Sequence, residues 1–315
     1  MEKTQFLFEK WFSTGILCLR RKKEVTMATF NSETPFLFKS LAYGRFKEQH
    51  TRCSEYYWHH ILTRKMACKF SRDVSVNDDP NFLLGGNNFH LPHTFKQWKT
   101  EISETENWLR LNILLVSNSY FEQYFFEIIN LLLASRPSLL LSDMKTVNGV
   151  YFLKNNIIPP AINYFCENIT KGSWSKRNKL LENLIHLDCF SENDIGILDK
   201  IRKIRNKVAH RFGHDFVSDI NCFFLPHPPD RLSEERLLRY LEFIEKTAQN
   251  IDSKLYPFIG NYELLLLWHL NKNNSEYKAI IDSSKKCAKI INAMHPAKFI
   301  SAADAKELLK YYNHF

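Results

Sequence analysis

Apolar positions in the second half of the chain recur at steps of three and four, the spacing that gathers them on one side of a helix. From Leu109 to Leu133 the sequence is almost continuously apolar, broken only by such residues as Asn118, Glu122, Gln123 and Glu127. Those interruptions suit a buried helix serving a core and a dimer interface better than a membrane span. Ser103-Glu104-Thr105-Glu106 has the form of a capping box that opens this helix, and Arg136-Pro137 closes it. Pro159-Pro160 precedes a short helix over Ala161–Ile169, and Lys171-Gly172-Ser173 marks a loop. Helices follow near Arg177–Leu187 and over Glu192–Arg211, the second capped by Ser191 with Asp194 and stopped by Gly213. Beyond Pro226-His227-Pro228-Pro229, Ser233 caps a helix reaching about Asn250. The apolar run Leu264–Leu270, a basic helix around Tyr277–Ala293 and a last helix opened by Ser301 with Asp304 complete the chain. The expected class is mainly α.

The helix ending near Arg211 carries the most distinctive chemistry. Its apolar positions Ile197, Ile201, Ile204 and Val208 form one stripe, expected to face the core. Asn206 and His210 lie one turn apart on another face, with Arg202 one turn earlier in the same row and Arg205 beside it. An imidazole can move protons near neutral pH, an amide can orient a substrate, and a guanidinium can neutralise a phosphate. The helix dipole at this C-terminal position favours a protonated imidazole. The plainer reading of Lys200, Arg202, Lys203, Arg205, Lys207 and Arg211 is a solvated basic face suited to a helix end.

Composition narrows the alternatives. The chain has 315 residues, 44% of them hydrophobic, which describes a globular protein rather than a disordered one. A net charge of +9 favours polyanionic partners. The seven scattered cysteines lack a paired C-x-x-C spacing, so a reduced, cytoplasmic protein is expected rather than a disulfide framework. Met1-Glu2-Lys3-Thr4-Gln5 does not open a secretory signal, and no membrane partner is expected.

The Arg-Asn-x-x-x-His pattern of Arg205, Asn206 and His210, on a helix that follows the long apolar helix beginning Trp108-Leu109-Arg110-Leu111-Asn112, resembles the HEPN superfamily. Lys176-Arg177-Asn178-Lys179-Leu180-Leu181 and the run Leu198–His210 complete the same order of elements, over about residues 100 to 215. The resemblance implies a helical bundle at 99–250, with a region of unreadable fold at 1–98 before it and a helical extension at 251–315 after it. It also implies a homodimeric, metal-independent endoribonuclease that cuts RNA by attack of the ribose 2′-hydroxyl, used as a toxin or in antiviral defence. In that scheme Arg205 binds the phosphorane, Asn206 orients groups, and His210 supplies or accepts the proton or holds the scissile phosphate. Arg202, Lys203 and Lys207 are secondary RNA-binding candidates, and Glu122 is a supporting polar residue from the earlier helix. No cofactor or metal is called for, and an inhibitory or activating protein partner is compatible. Phe212 stands where some members carry a modifiable tyrosine, so the resemblance stops short of that regulation. The alternative is a non-catalytic module of the same fold that binds RNA or protein.

Rival chemistries lack complete sites. His210 with His214 and Asp215, His90 with His93, and His59 with His60 do not reach a zinc-ligand set at fixed spacing. Gly85-Gly86 is not a phosphate-cradling loop, and no Gly-x-Ser-x-Gly occurs. Arg45–Arg72 interleaves Arg52, Arg64, Lys65, Lys69 and Arg72 with Tyr56, Tyr57, Trp58 and Phe70. That mixture reads first as an amphipathic helix with its aromatics inward, and second as a clamp for single-stranded RNA.

Overall fold

Residues 95–135 form the longest helix, and the other helices are arranged around it. The computed structural model describes residues 34–72, 75, 77–80, 92–140, 148–157, 160–211, 230–294 and 299–315, the side chains of 160, 161, 210 and 211 apart. Among these residues the regular structure is entirely helical, with ten α-helices and no strand. They are α1 (Leu41–Phe70), α2 (Phe95–Ser135), α3 (Gly149–Lys154), α4 (Pro160–Ile169), α5 (Trp174–Ile185), α6 (Glu192–Arg211), α7 (Glu234–Ile259), α8 (Tyr262–Asn271), α9 (Ser283–Met294) and α10 (Ala302–His314). Gly213, Gly85-Gly86, His90, Phe212, His214, Asp215 and Pro226-His227-Pro228-Pro229 lie outside the described residues, while His93 is exposed and its amide donates to Gln97 Oε1 at 3.2 Å.

Helix α2 begins eight residues before the expected capping box. Thr94 is its N-cap, its hydroxyl accepting from the Gln97 amide at 3.1 Å. Ser103 lies two turns inside and donates its hydroxyl back to the Thr100 carbonyl, so the Ser-x-x-Glu pattern caps nothing. Arg136 closes the helix ahead of Pro137, as expected. The face formed by Leu114, Phe121, Phe125, Ile128 and Leu132 is fully buried. It packs against α1, α7, α6 and α4. At the far end, Gly149 opens α3 against the Ala134 and Ser135 carbonyls, where a Cβ would come within 2.2 Å of the first oxygen.

Helices α2 and α7 run side by side in the same direction. Asn107 accepts from the Leu232 amide, the Tyr124 hydroxyl donates to the Ala248 carbonyl, and Arg136 donates to the Phe258 carbonyl. Ser233 caps α7 as expected, accepting from Arg236 N at 3.2 Å. The helix continues past Asn250 to Ile259 and takes in Pro257. Residues 98 and 250, taken above as boundaries, therefore fall within α2 and α7. Ser32–Phe315 forms one compact unit in which α1 packs on both α2 and α7. The expected basic helix at Tyr277–Ala293 begins instead at Ser283, Tyr277 ending a short 3-10 turn. Ser301 and Asp304 form the expected capping box of α10. The α5 helix starts three residues before Arg177 and is stopped by His186, whose φ of 54° places it in the left-handed region.

Polar residues near the end of α7 serve the start of α1. Asp252 accepts from the Ser40 hydroxyl at 2.5 Å and from its amide at 3.1 Å, while Glu263 of α8 accepts from the Leu41 amide at 3.0 Å. Two carboxylates thereby satisfy amides that a helix start leaves unpaired, and they complement its dipole. Burial lifts the Glu263 carboxyl to about 7 and also raises Asp252. A carboxyl raised by folding binds its proton more tightly in the folded state, so its contribution falls as pH rises from its ordinary range through the folded value. The Glu263→Gln variant should therefore gain stability relative to wild type between pH 5 and pH 7.5. Urea midpoints at the two pH values read this directly, and an unchanged difference would show that Glu263 does not titrate in that window.

Candidate functional site

The capping box expected at Ser191 is present. Asp194 N donates to the Ser191 hydroxyl at 3.2 Å and Ser191 N donates to the Asp194 carboxylate at 3.1 Å. From there α6 runs to Arg211, the bounds read from the sequence. Its buried stripe differs from the expected one. Leu198, Ile201 and Val208 are buried, whereas Ile197 and Ile204 are only half-buried. Arg205 falls within that stripe, between Ile201 and Val208, instead of beside a separate polar row.

A charged residue in a core-facing stripe needs a partner, and Arg205 has one. Its Nη2 donates to Glu122 Oε2 on α2 at 2.8 Å, and its Nη1 donates to Asn206 Oδ1 at 3.0 Å. The second oxygen of Glu122 accepts from Arg177 Nη2 on α5 at 3.3 Å. Three helices thus meet at one carboxylate. Arg177 is the residue that sequence reasoning missed as a participant. The usable signal lay in α5 itself, where Trp174, Arg177, Leu181 and Ile185 form the buried stripe and one of the four is charged.

Arg177 is nearly inaccessible, with its side chain only 5% exposed, and its guanidinium lies 4.3 Å over the Trp174 ring. That ring packs among Phe121, Phe125 and Phe190 at centroid distances of 5.3 to 5.5 Å. Among the described residues, Arg177 Nε and Nη1 have no hydrogen-bond partner. Burial draws the Arg177 guanidinium below its ordinary value, Glu122 draws it back up, and Arg202 and Arg205 push it down again.

The other sequence candidates are distributed around this centre. Arg202 donates to Asp199 at 3.2 Å, and Asp199 also accepts from the Trp174 amide, so Arg202 is held toward the start of α5. Lys203 is exposed. Lys207 pairs with Asp230 at 3.3 Å, beside the start of α7. Arg177, Arg202 and Arg205 face Glu122 and Asp199, three positive charges against two negative, which leaves one positive charge. The backbone at His210 continues helically one turn past Asn206, and its side chain lies outside the described residues. No group of three metal-ligating side chains occurs among the described residues. No described helix is long and apolar enough to cross a membrane.

No protein-family model, curated protein or solved structure matches the chain.

Removing the Glu122 carboxylate strands a buried guanidinium. Glu122→Ala should cost about 3 kcal/mol in urea unfolding, the scale for breaking a buried pair from one side. The double variant Glu122→Ala with Arg177→Met should recover part of that loss. Additive losses in the double-mutant cycle would show that the two residues are not coupled.

Proposed function

We propose that the chain is a metal-independent endoribonuclease that acts as a homodimer, with Arg205, Asn206 and His210 as its catalytic residues. The observation that carries this reading is the joining of Arg205 to Asn206, with Glu122 fixing the guanidinium from a different helix. A guanidinium held at both ends of its fork is pre-oriented, and stabilising a phosphorane calls for orientation and charge more than for covalent chemistry. The excess positive charge around Glu122 supports a phosphate-bearing substrate.

In this mechanism the ribose 2′-oxygen attacks the adjacent phosphorus while the bond to the 5′-oxygen breaks. One proton leaves the 2′-hydroxyl and one arrives at the departing 5′-oxygen. His210 carries a proton in one of these transfers, and a second copy of the motif across a dimer interface supplies the other. Arg205 binds the non-bridging oxygens, and Asn206 positions the groups by hydrogen bonds. Lys203 and Lys207 extend the basic surface toward the flanking strand, with Arg202 as a further source of positive charge. A toxin or antiviral-defence role follows from the superfamily resemblance.

A second reading has its own support. Arg205, Arg202 and Lys207 each hold a carboxylate partner, the arrangement of a resting or purely structural helix. A module of this kind would bind RNA or a protein without cutting.

Purified wild type, Arg205→Ala, Asn206→Ala and His210→Ala should be compared on total RNA in EDTA with the product ends mapped. Wild type should leave 2′,3′-cyclic phosphates and 5′-hydroxyls, and each variant should lose about 10²-fold or more in rate. Equal cleavage by wild type and His210→Ala would remove His210 from the mechanism. Binding without cleavage by wild type would favour the module.

A further inference from the structure

The last two turns of α1 carry a second cationic feature, separate from the Glu122 centre. A groove of about 420 Å³ runs along them, lined by Arg64, Lys65, Cys68, Lys69 and Arg72. Four of these five residues are cationic and none is acidic. Arg64 is engaged, its Nε 2.7 Å from Glu106 on α2. Lys65, Lys69 and Arg72 are exposed, and no ion pair holds them among the described residues. Like charges packed this closely repel one another, and a polyanion relieves the repulsion by replacing their counterions.

The placement of the aromatics decides how such a polyanion would be held. Tyr57 is fully buried, whereas Tyr56 and Phe70 are exposed. At 100° per residue these two lie on nearly the opposite side of α1 from Arg64, Lys65, Cys68 and Lys69. Tyr56 and Phe70 therefore do not join the cations, whereas the half-buried Trp58 falls on the cation side, two turns before Lys65. The groove itself is a phosphate-sized row of positive charge with no aromatic residue in its lining.

The groove also connects with the candidate site. Glu106, which holds Arg64, adjoins Asn107 on α2, and Asn107 donates to the Asp230 carbonyl. The Asp230 carboxylate pairs with Lys207, three residues before His210. These contacts link Arg64 of the groove, through α2, to Lys207 of α6.

We propose that this groove binds the phosphodiester backbone of a single RNA strand, as a second contact outside the cleavage site. The choice of RNA rests on the ribonuclease reading, and the phosphate chemistry rests on the groove alone. The contact reads charge and not sequence.

The test measures fluorescence anisotropy of a labelled single-stranded RNA with the full chain carrying His210→Ala, so that the strand is not cut. Adding Lys65→Glu, Lys69→Glu and Arg72→Glu should weaken binding at least tenfold. It should also flatten the dependence of log Kd on log salt by about 2, three lost phosphate contacts at about 0.7 each. Lys65→Arg with Lys69→Arg should bind as the parent does, and Tyr56→Ala with Phe70→Ala should leave affinity unchanged. An unchanged Kd and salt slope after charge reversal, in protein with a normal thermal transition, would overturn the proposal. Displacement of the RNA by polyglutamate as readily as by unlabelled RNA would overturn it too, by pointing to an acidic protein partner. Wild type that cuts no RNA, with charge reversal still weakening binding, retains the groove and refutes the nuclease. Wild type that cuts RNA, with affinity indifferent to charge reversal, does the reverse.

Discussion

One carboxylate shared by two guanidiniums fixes how three helices meet. Glu122 projects from α2, Arg177 from α5 and Arg205 from α6, beside the buried apolar residues of each helix. A buried charge left without a partner costs several kcal/mol, so slipping any of these helices by a turn would be penalised in a way that apolar contacts alone would not impose. The bridge therefore selects one register from those that hydrophobic packing leaves open. The aromatic packing of Trp174 with Phe121, Phe125 and Phe190 then fills the space beside it.

The same device recurs at the other end of the unit. Asp252 and Glu263 reach across to the free amides at the start of α1 and tie it to α7 and α8. In both places an acid faces donors on a different helix, half-buried at Glu122 and buried at Asp252 and Glu263. Glu263 is raised far enough by burial for its charge to respond to pH near neutrality.

The bridge also bears on chemistry. Holding Arg205 by Glu122 and Asn206 orients its guanidinium and at the same time occupies it. Under the proposed function, a phosphate approaching this centre would meet a positive charge whose geometry is already set. Arg177, shut away behind Trp174, offsets the negative charge of Glu122 without itself reaching solvent. The arrangement keeps the accessible side of the cluster cationic although a carboxylate lies at its middle.

The sequence by itself determined the helical class, the bounds of α6, the caps at Ser191, Ser233 and Ser301, and the closing of α2 at Arg136-Pro137. These features depend on residues within a few positions of one another, where capping and periodicity act. It also supplied Arg205 and Asn206 as neighbours, and Glu122 as a candidate from an earlier helix. Tertiary structure alone decided which face of α6 is buried, because Arg205 takes an inward position that periodicity would give to an apolar residue. It alone brought Arg177 to Glu122, two residues 55 positions apart, and turned Ser103 from a cap into a helix-interior residue. It carried α7 past Asn250 to Ile259, with Asp252 paired to Ser40, 212 positions away. Such choices are set by the energy of matching buried charges across helices, and no local pattern records where the matching partner lies.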